Sequence, residues 1–256
     1  MIIGLGCAKD FAKVLDSAKQ AASIDVTIRC YCAADIEDAA QAALSPYVEV
    51  VQSAMPHKAL IDDLKEGTIA GAVRGTLAAN DTLKYLKAAF GADHLERIAL
   101  LESAHGEKFF FAPVGVDEGW TVAEKTALAK DARRFAKMYG LSEKTVFLSG
   151  GRLGDIGRHP NVDKSIEEAD LAARMLEGAV HGEILIEDAV KDAGVIIAPD
   201  GISGNLIFRT LTFLGTGIGH GAPVANIPAI FVDSSRASAG YVEALKFTIQ
   251  LCRNKC

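Results

Sequence analysis

The chain has 256 residues, half of them hydrophobic (50%), which is enough apolar material for one large or two small folded domains. Its formal net charge is −6 and only 7% of its residues are aromatic. These values argue against non-specific nucleic-acid binding, which needs a positive surface, and against a base-stacking platform. No basic segment precedes the first apolar run, so we expect no signal peptide, no membrane span and a cytoplasmic protein.

Apolar periodicity and turn signals predict strands that alternate with helices along the whole chain. Strands are predicted at 1–3, 24–32, 48–51, 68–73, 97–102, 108–114, 144–148, 194–198 and 229–232. Helices are predicted at 8–22, 36–44, 56–65, 79–90, 118–139, 165–176, 183–193, 205–214 and 239–252, with a Gly-rich turn at 215–221. This alternation predicts a three-layer α/β/α fold whose sheets are mostly parallel and covered by helices on both faces.

The pattern also predicts two domains and the path of the chain between them. The first domain is expected to contain residues 1–118 and 222–256, and the second residues 119–221. A hairpin whose turn falls at 103–107 adds some antiparallel character. A cleft between two such domains is the usual place for a ligand, so we expect the binding site there.

Arginines follow three predicted strands, at Arg74, Arg152 and Arg236, and this recurrence predicts an anionic ligand. The second lies in a glycine-rich loop whose amides and guanidinium groups suit an anion, although a flexible connecting loop is the alternative. The candidate binding residues of that loop are Ser149, Gly150, Gly151, Arg152, Gly154 and Arg158.

A second candidate segment follows the apolar strand 194–198. Asp200 and Asn205 can orient a polar ligand, Gly204 lets the backbone approach it, and Arg209 lies one helical turn after Asn205. The alternative is that Ser203 or Asn205 only caps a helix.

Two further features have simple alternatives. The Gly4–Gly6 segment suits either a phosphate-binding or a tight strand-to-helix turn, and it lacks the third glycine of a dinucleotide fingerprint. Cys30 and Cys32, or Cys252 and Cys256, have spacings that a soft metal can use. No second C-x-x-C pair supports such a site, so buried or terminal thiols are favoured and no metal is predicted.

Four segments, in order, resemble motifs of the phosphate acetyl/butyryltransferases: 67–86 (GTIAGAVRGTLAANDTLKYL), 161–164 (NVDK), 195–205 (VIIAPDGISGN) and 230–236 (IFVDSSR). The resemblance implies an isocitrate/isopropylmalate dehydrogenase-like fold. It also implies that Ser235 and Arg236 bind phosphate and an acyl thioester, that Asp200, Gly204 and Asn205 complete the site, and that Arg74 lies near it. A helix cap with a surface arginine is the alternative for Ser235 and Arg236.

The chain also departs from those enzymes. They carry an aspartate shortly after the Ser-Arg pair, whereas here Glu243 is the nearest following carboxylate. With its short second domain, the chain resembles the MtxX family of methanogenic archaea, a divergent branch of the same superfamily. That resemblance implies a homodimer and a transferase, with Ser235, Arg236 and Asp200 as catalytic residues and coenzyme A or coenzyme M as candidate thiol substrates. The alternative is a non-catalytic anion-binding or accessory protein of a methyltetrahydromethanopterin:coenzyme M methyltransferase pathway.

Overall fold

The computed structural model describes residues 1–33, 45–235 and 238–254. The predicted helix 36–44 and the predicted site residue Arg236 therefore lie outside the described residues. The chain forms two compact units, Met1–Leu95 together with Gly221–Cys256, and Glu96–His220. Both are α/β units with mainly parallel strands, as predicted.

The first unit is built on a parallel five-stranded sheet. Its strands are β1 (Ile2–Cys7), β2 (Thr27–Cys32), β3 (Val48–Gln52), β4 (Gly71–Val73) and β11 (Phe231–Asp233). They lie in the order β3-β2-β1-β4-β11. The end of β10 (Ile218–Pro223) pairs with β11 in antiparallel direction.

Helices cover both faces of this sheet. They are α1 (Phe11–Ala21), α2 (Pro56–Glu66), α3 (Ala79–Phe90) and α8 (Val242–Asn254). Helices α1 and α8 pack together on one face, and α2 and α3 on the other. The core between the sheet and α2 includes Tyr31, Leu60 and Phe231, each fully buried. Burial of large apolar side chains of this kind supplies most of the stability of such a unit.

The second unit has a sheet of five strands in the order β5-β6-β9-β7-β8. They are β5 (Ala99–Glu102), β6 (Lys108–Ala112), β7 (Thr145–Phe147), β8 (Ala179–His181) and β9 (Val195–Ile197). Its helices are α4 (Val122–Tyr139), α5 (Pro160–Met175), α6 (Ile186–Ala189) and α7 (Gly201–Arg209), with a 3₁₀ turn at Leu153–Asp155 and a π-helical turn at Thr210–Leu214. Only β5 runs antiparallel within this sheet, because it forms the predicted hairpin with β6.

The pairing of strands explains where the boundary between the two units falls in the sequence. The sequence placed the hairpin strands in the first domain, with a boundary near residue 118. In the structure β6 forms a ladder with β9, in which Phe110 pairs with Val195. The hairpin therefore groups with the second unit, which begins at Glu96.

Local chemistry explains three differences from the predicted elements. The predicted Gly4–Gly6 turn is wrong, because both glycines lie inside β1, and a Cβ at Gly6 would overlap the carbonyl oxygen of Arg74. Helix α7 starts at Gly201 rather than at residue 205, because Asp200 caps it. Residues 218–223, within and just after the predicted glycine-rich turn, form strand β10.

Candidate functional site

The carboxyl edge of the first sheet brings together the ends of β1, β4 and β11. Ligands bind at this edge in open parallel sheets. The turn after β4 contains Arg74 and Thr76, and the segment after β11 contains Ser234 and Ser235. The structure thus brings together two of the predicted segments, those around Arg74 and Ser235.

A buried guanidinium holds the ends of β4 and β11 together. Arg74 is only 5% exposed, and its Nε donates to Asp233 Oδ1 in an ion pair. Its Nη1 donates to the Leu77 carbonyl oxygen (2.8 Å) and its Nη2 to the Ser234 carbonyl oxygen. Each guanidinium nitrogen therefore has a partner inside the protein. Arg74 stabilises the edge, and its predicted contact with an anion stays a prediction.

Hydrogen bonds hold the described residues on either side of Arg236. Before it, the Ser234 hydroxyl accepts a hydrogen bond from the Gly75 amide (3.1 Å). After it, Lys13 Nζ donates to the Ser238 carbonyl oxygen (3.1 Å), and the Ser238 amide donates to the Ser235 carbonyl oxygen (3.2 Å). Sequence reasoning missed this contact of Lys13, because the residue belongs to a helix and lies 225 residues before Ser238 in the chain.

Thr76 ties the turn after β1 to the same edge. Its hydroxyl accepts hydrogen bonds from the amides of Ala8 (2.9 Å) and Lys9 (3.2 Å) and donates to the Lys9 carbonyl oxygen (2.8 Å). The ends of β1, β4 and β11 are thus joined by side-chain hydrogen bonds in addition to the backbone hydrogen bonds between the strands.

At the carboxyl edge of the second sheet, Ser149 and His181 are in contact. The hydroxyl of Ser149 is buried and donates to the Gly151 carbonyl oxygen (2.8 Å). Ser149 Oγ also lies 2.8 Å from His181 Nε2. Because the hydroxyl hydrogen is already donated to Gly151, the imidazole N–H is the donor in this second hydrogen bond. Burial lowers the pKa of His181 below its ordinary value, which favours the neutral form of the ring. Sequence reasoning missed His181, because β8 is only three residues long and is too short to show a period.

The glycine-rich loop after β7 uses several of its amides internally. Four of them donate to side-chain oxygens of the protein itself. The pairs are Gly150 with Ser165 (2.8 Å), Arg152 with Asp155 (2.9 Å), Leu153 with Glu183 (3.1 Å) and Gly157 with Asp163 (2.8 Å). In this conformation these four amides have partners inside the protein, and the predicted contact of the loop with an anion stays a prediction.

The two arginines of this loop differ in their contacts. Arg158 forms an ion pair with Asp155 (2.5 Å), and the Arg152 amide and this guanidinium hold the pKa of Asp155 below its ordinary value. Within the described residues, the exposed guanidinium of Arg152 has no hydrogen-bond or ion-pair partner. Arg152 is therefore the residue of this loop best placed to meet an anion from solvent.

The segment after β9 is a helix start that packs against a loop. Asp200 Oδ1 accepts from the amides of Ile202 (2.9 Å) and Ser203 (2.8 Å), so Asp200 is the N-cap of α7. The side-chain nitrogen of Asn205, Nδ2, donates to the Val114 carbonyl oxygen (2.9 Å). A Cβ at Gly204 would overlap the carbonyl oxygen of Pro113. These residues build the edge, and their predicted ligand contacts stay predictions.

Arg209, the last binding residue predicted in this segment, lies at the end of α7. Its guanidinium stacks over the ring of Phe213, 5.3 Å from the ring centre. It is exposed, but this contact involves the next helical turn rather than Asp200 or Asn205.

The buried carboxylate of Glu118, in the loop between β6 and α4, was not predicted. Glu118 is 6% exposed and accepts hydrogen bonds from Arg97 Nε (2.8 Å) and the Gly115 amide (3.3 Å). Burial raises its pKa above the ordinary value of 4.5, and the Arg97 guanidinium only partly opposes this. The two residues lie far apart in the sequence, so no local pattern could reveal the pair.

The described residues include neither a metal-binding cluster nor a membrane-spanning helix. Within ranges 1–33, 45–235 and 238–254, no cluster of three or more His, Cys, Asp or Glu side chains has the geometry to hold a metal ion. The same residues include no helix that is long and apolar enough to span a membrane.

Removal of the Arg74 guanidinium takes an ion-pair partner from the part-buried Asp233 carboxylate and a hydrogen-bond donor from the Leu77 and Ser234 carbonyl oxygens. We expect Arg74→Ala to lower the free energy of unfolding by about 3–5 kcal/mol, measured by urea denaturation. Arg253→Ala, on the exposed side of α8, is the control and should change it by less than ~0.5 kcal/mol. Equal stabilities of the two variants would contradict the structural role.

Glu118 predicts a pH dependence of stability. A carboxyl group whose pKa is raised on folding binds more protons in the folded state, so its contribution falls as pH rises from 4.5 through the folded pKa. The stability of the wild-type protein relative to Glu118→Gln should therefore fall with pH across that window and then level off. Glu66→Gln, at an exposed site, is the control. A difference that rises with pH contradicts the effect of burial.

Comparison with solved structures confirms the predicted fold class. A branched-chain phosphotransacylase from Enterococcus faecalis has a TM-score of 0.75 at 17% identity, over 98% of this chain and 99% of that chain. A phosphotransacetylase from Streptococcus pyogenes has a TM-score of 0.73 at 17% identity, over 100% and 94%. An isocitrate dehydrogenase from Methylococcus capsulatus has a TM-score of 0.52 at 10% identity, over 97% and 82%. At these identities the likeness concerns the fold alone.

Sequence comparison identifies the family. No model of a protein family matches the chain. A Methanosarcina mazei protein named "Putative methyltransferase mtx subunit X" is 44% identical over 202 residues, 77% of this chain and 72% of the relative. A Methanosarcina barkeri protein of the same name is 42% identical over 202 residues, 77% and 74%. The chain, with its phosphotransacetylase-like α/β fold, therefore belongs to the family of the methyltransferase mtx subunit X proteins.

Proposed function

We propose that the protein is a transferase of the phosphotransacetylase type that binds phosphate or an acyl phosphate through Ser235 and Arg236. One observation carries the proposal: the described residues on either side of Arg236 are held by hydrogen bonds, Ser234 by Arg74 and Gly75, and Ser238 by Lys13. Well-positioned groups around a binding site are a condition for efficient catalysis.

The proposed chemistry is acyl transfer between phosphate and a thiol. The thiol sulfur attacks the carbonyl carbon of the acyl phosphate, the bond from that carbon to the phosphate oxygen breaks, and phosphate leaves. The products are a thioester and phosphate, and the thiol proton passes to the leaving phosphate or to water. The Arg236 guanidinium and the Ser235 hydroxyl would stabilise the negative charge that develops on the phosphate.

The other predicted residues have different parts in this proposal. Arg152 is a separate candidate contact for an anion on the second unit, because its guanidinium has no hydrogen-bond or ion-pair partner among the described residues. Asp200 is proposed to act by positioning, since it already accepts three hydrogen bonds at the start of α7. Coenzyme A and coenzyme M are the candidate thiols, since both are anionic.

A second candidate function is a non-catalytic, anion-binding accessory protein of a methyltransferase pathway. The observation that favours it is the loop after β7, where Asp155, Asp163 and Glu183 already occupy amides that a substrate would use. The family members named above are called methyltransferase subunits, which agrees with a role beside another enzyme.

Binding of inorganic phosphate tests the proposed site. We expect Arg236→Ala to weaken phosphate binding by more than about 2 kcal/mol, roughly 30-fold, because a charge-assisted hydrogen bond is lost. Isothermal titration calorimetry measures this, with Arg253→Ala as the control in the same unit. Unchanged phosphate affinity in Arg236→Ala would contradict the assignment of the site.

An exchange assay separates the two functions. Purified protein is incubated with acetyl phosphate and either coenzyme A or coenzyme M, and thioester formation is followed by absorbance. The transferase proposal expects turnover that Arg236→Ala reduces at least tenfold and Arg253→Ala leaves unchanged. Phosphate binding with no turnover on either thiol would favour the accessory protein instead.

A further inference from the structure

Two cysteines lie side by side at the carboxyl end of the first sheet. Strands β1 and β2 run parallel, and their last register pair is Cys7 with Cys32. The side chains of such a pair point to the same face, and neighbouring strands lie about 4.8 Å apart. This distance is inside the range of Cα separations, about 4.4–6.8 Å, that a disulfide spans.

The two sulfurs already interact in the reduced protein. The Cys32 thiol donates a hydrogen bond to the Cys7 sulfur, while Cys7 Sγ donates to the Lys9 carbonyl oxygen (3.7 Å). The hydrogen bond from Cys32 lowers the pKa of Cys7 and raises that of Cys32. The roles of the two residues are thus different: Cys7 is the better nucleophile and Cys32 the neighbouring thiol.

Both cysteines are buried, but each is the last buried residue before the chain reaches the surface. Ala8 follows Cys7 and Ala33 follows Cys32, and both alanines are exposed. We expect local fraying at the strand ends to expose the pair, because strand ends open at a lower free-energy cost than a core does. This access suits a small oxidant better than a bulky one.

We propose that Cys7 and Cys32 are a reversible redox pair that a hydroperoxide converts to a disulfide. The Cys7 thiolate attacks a peroxide oxygen, the O–O bond breaks, and Cys7 becomes a sulfenic acid. The Cys32 sulfur then attacks the Cys7 sulfur, and hydroxide leaves and takes the Cys32 proton as water. With hydrogen peroxide, two thiols and one peroxide give one disulfide and two waters, and two electrons pass from sulfur to oxygen. A dithiol reverses the reaction.

The remaining described cysteines serve as internal comparisons. Cys30 lies two residues before Cys32 on the same strand face, but its register partner is Leu5, and burial raises its pKa to about 12. Cys252 belongs to α8, where its thiol donates to the Ala70 carbonyl oxygen (3.4 Å). We therefore expect Cys7 and Cys32 to form the disulfide and Cys30 to remain a thiol. This expectation does not depend on the proposed transferase function.

Disulfide mapping of the full-length chain tests the proposal. A variant with Cys252→Ser and Cys256→Ser, which keeps only the strand cysteines, is treated with stoichiometric hydrogen peroxide and then with iodoacetamide. Digestion with trypsin and chymotrypsin follows, because cleavage after Tyr31 separates Cys30 from Cys32. We expect a peptide pair linked through Cys7 and Cys32 that disappears after treatment with dithiothreitol.

Two further variants check the roles of the residues. With Cys30→Ser added, the Cys7–Cys32 link should still form. With Cys32→Ser added, oxidation should stop at a Cys7 sulfenic acid, which dimedone traps. Pairing of Cys7 with Cys30, overoxidation of Cys7 without a disulfide, or complete alkylation of all three cysteines would overturn the proposal. If the Cys32→Ser variant fails to fold, the mapping of the chain that keeps all three strand cysteines decides alone.

Discussion

The first unit depends on one buried charge. The Arg74 guanidinium is nearly inaccessible to water, so it must be paired, and Asp233 and two carbonyl oxygens supply the partners. Because Arg74 follows β4 and Asp233 ends β11, satisfying this charge fixes the edge of the sheet from which Ser235 and Arg236 follow. Lys13 then holds the far side of the segment.

In the second unit, carboxylates bind the backbone amides of the glycine-rich loop. Asp155, Asp163 and Glu183 accept hydrogen bonds from three of these amides. Internal pairing keeps the loop ordered and leaves Arg152 exposed to solvent. At the first edge, hydrogen bonds thus hold the residues that flank Arg236, which is why the proposed anion site rests on that edge.

The alternation of strands and helices was sufficient to predict the fold, because the buried parallel strands are apolar and short. The site was harder to predict. Asp200 follows a strand and looks like a ligand residue, but the same position suits a helix cap, and only contacts distinguish the two. Arg97, Glu118 and His181 gave no signal, because their partners are distant in the sequence or, for His181, lie beside a three-residue strand.

Anion binding by the segment after β11 can be seen in a crystal structure of the protein grown with inorganic phosphate. We expect phosphate density within hydrogen-bond distance of the Ser235 hydroxyl and the Arg236 guanidinium, with Arg74 still paired to Asp233. Phosphate bound only elsewhere, or a Ser235 hydroxyl and Arg236 guanidinium turned away from the anion, would contradict it.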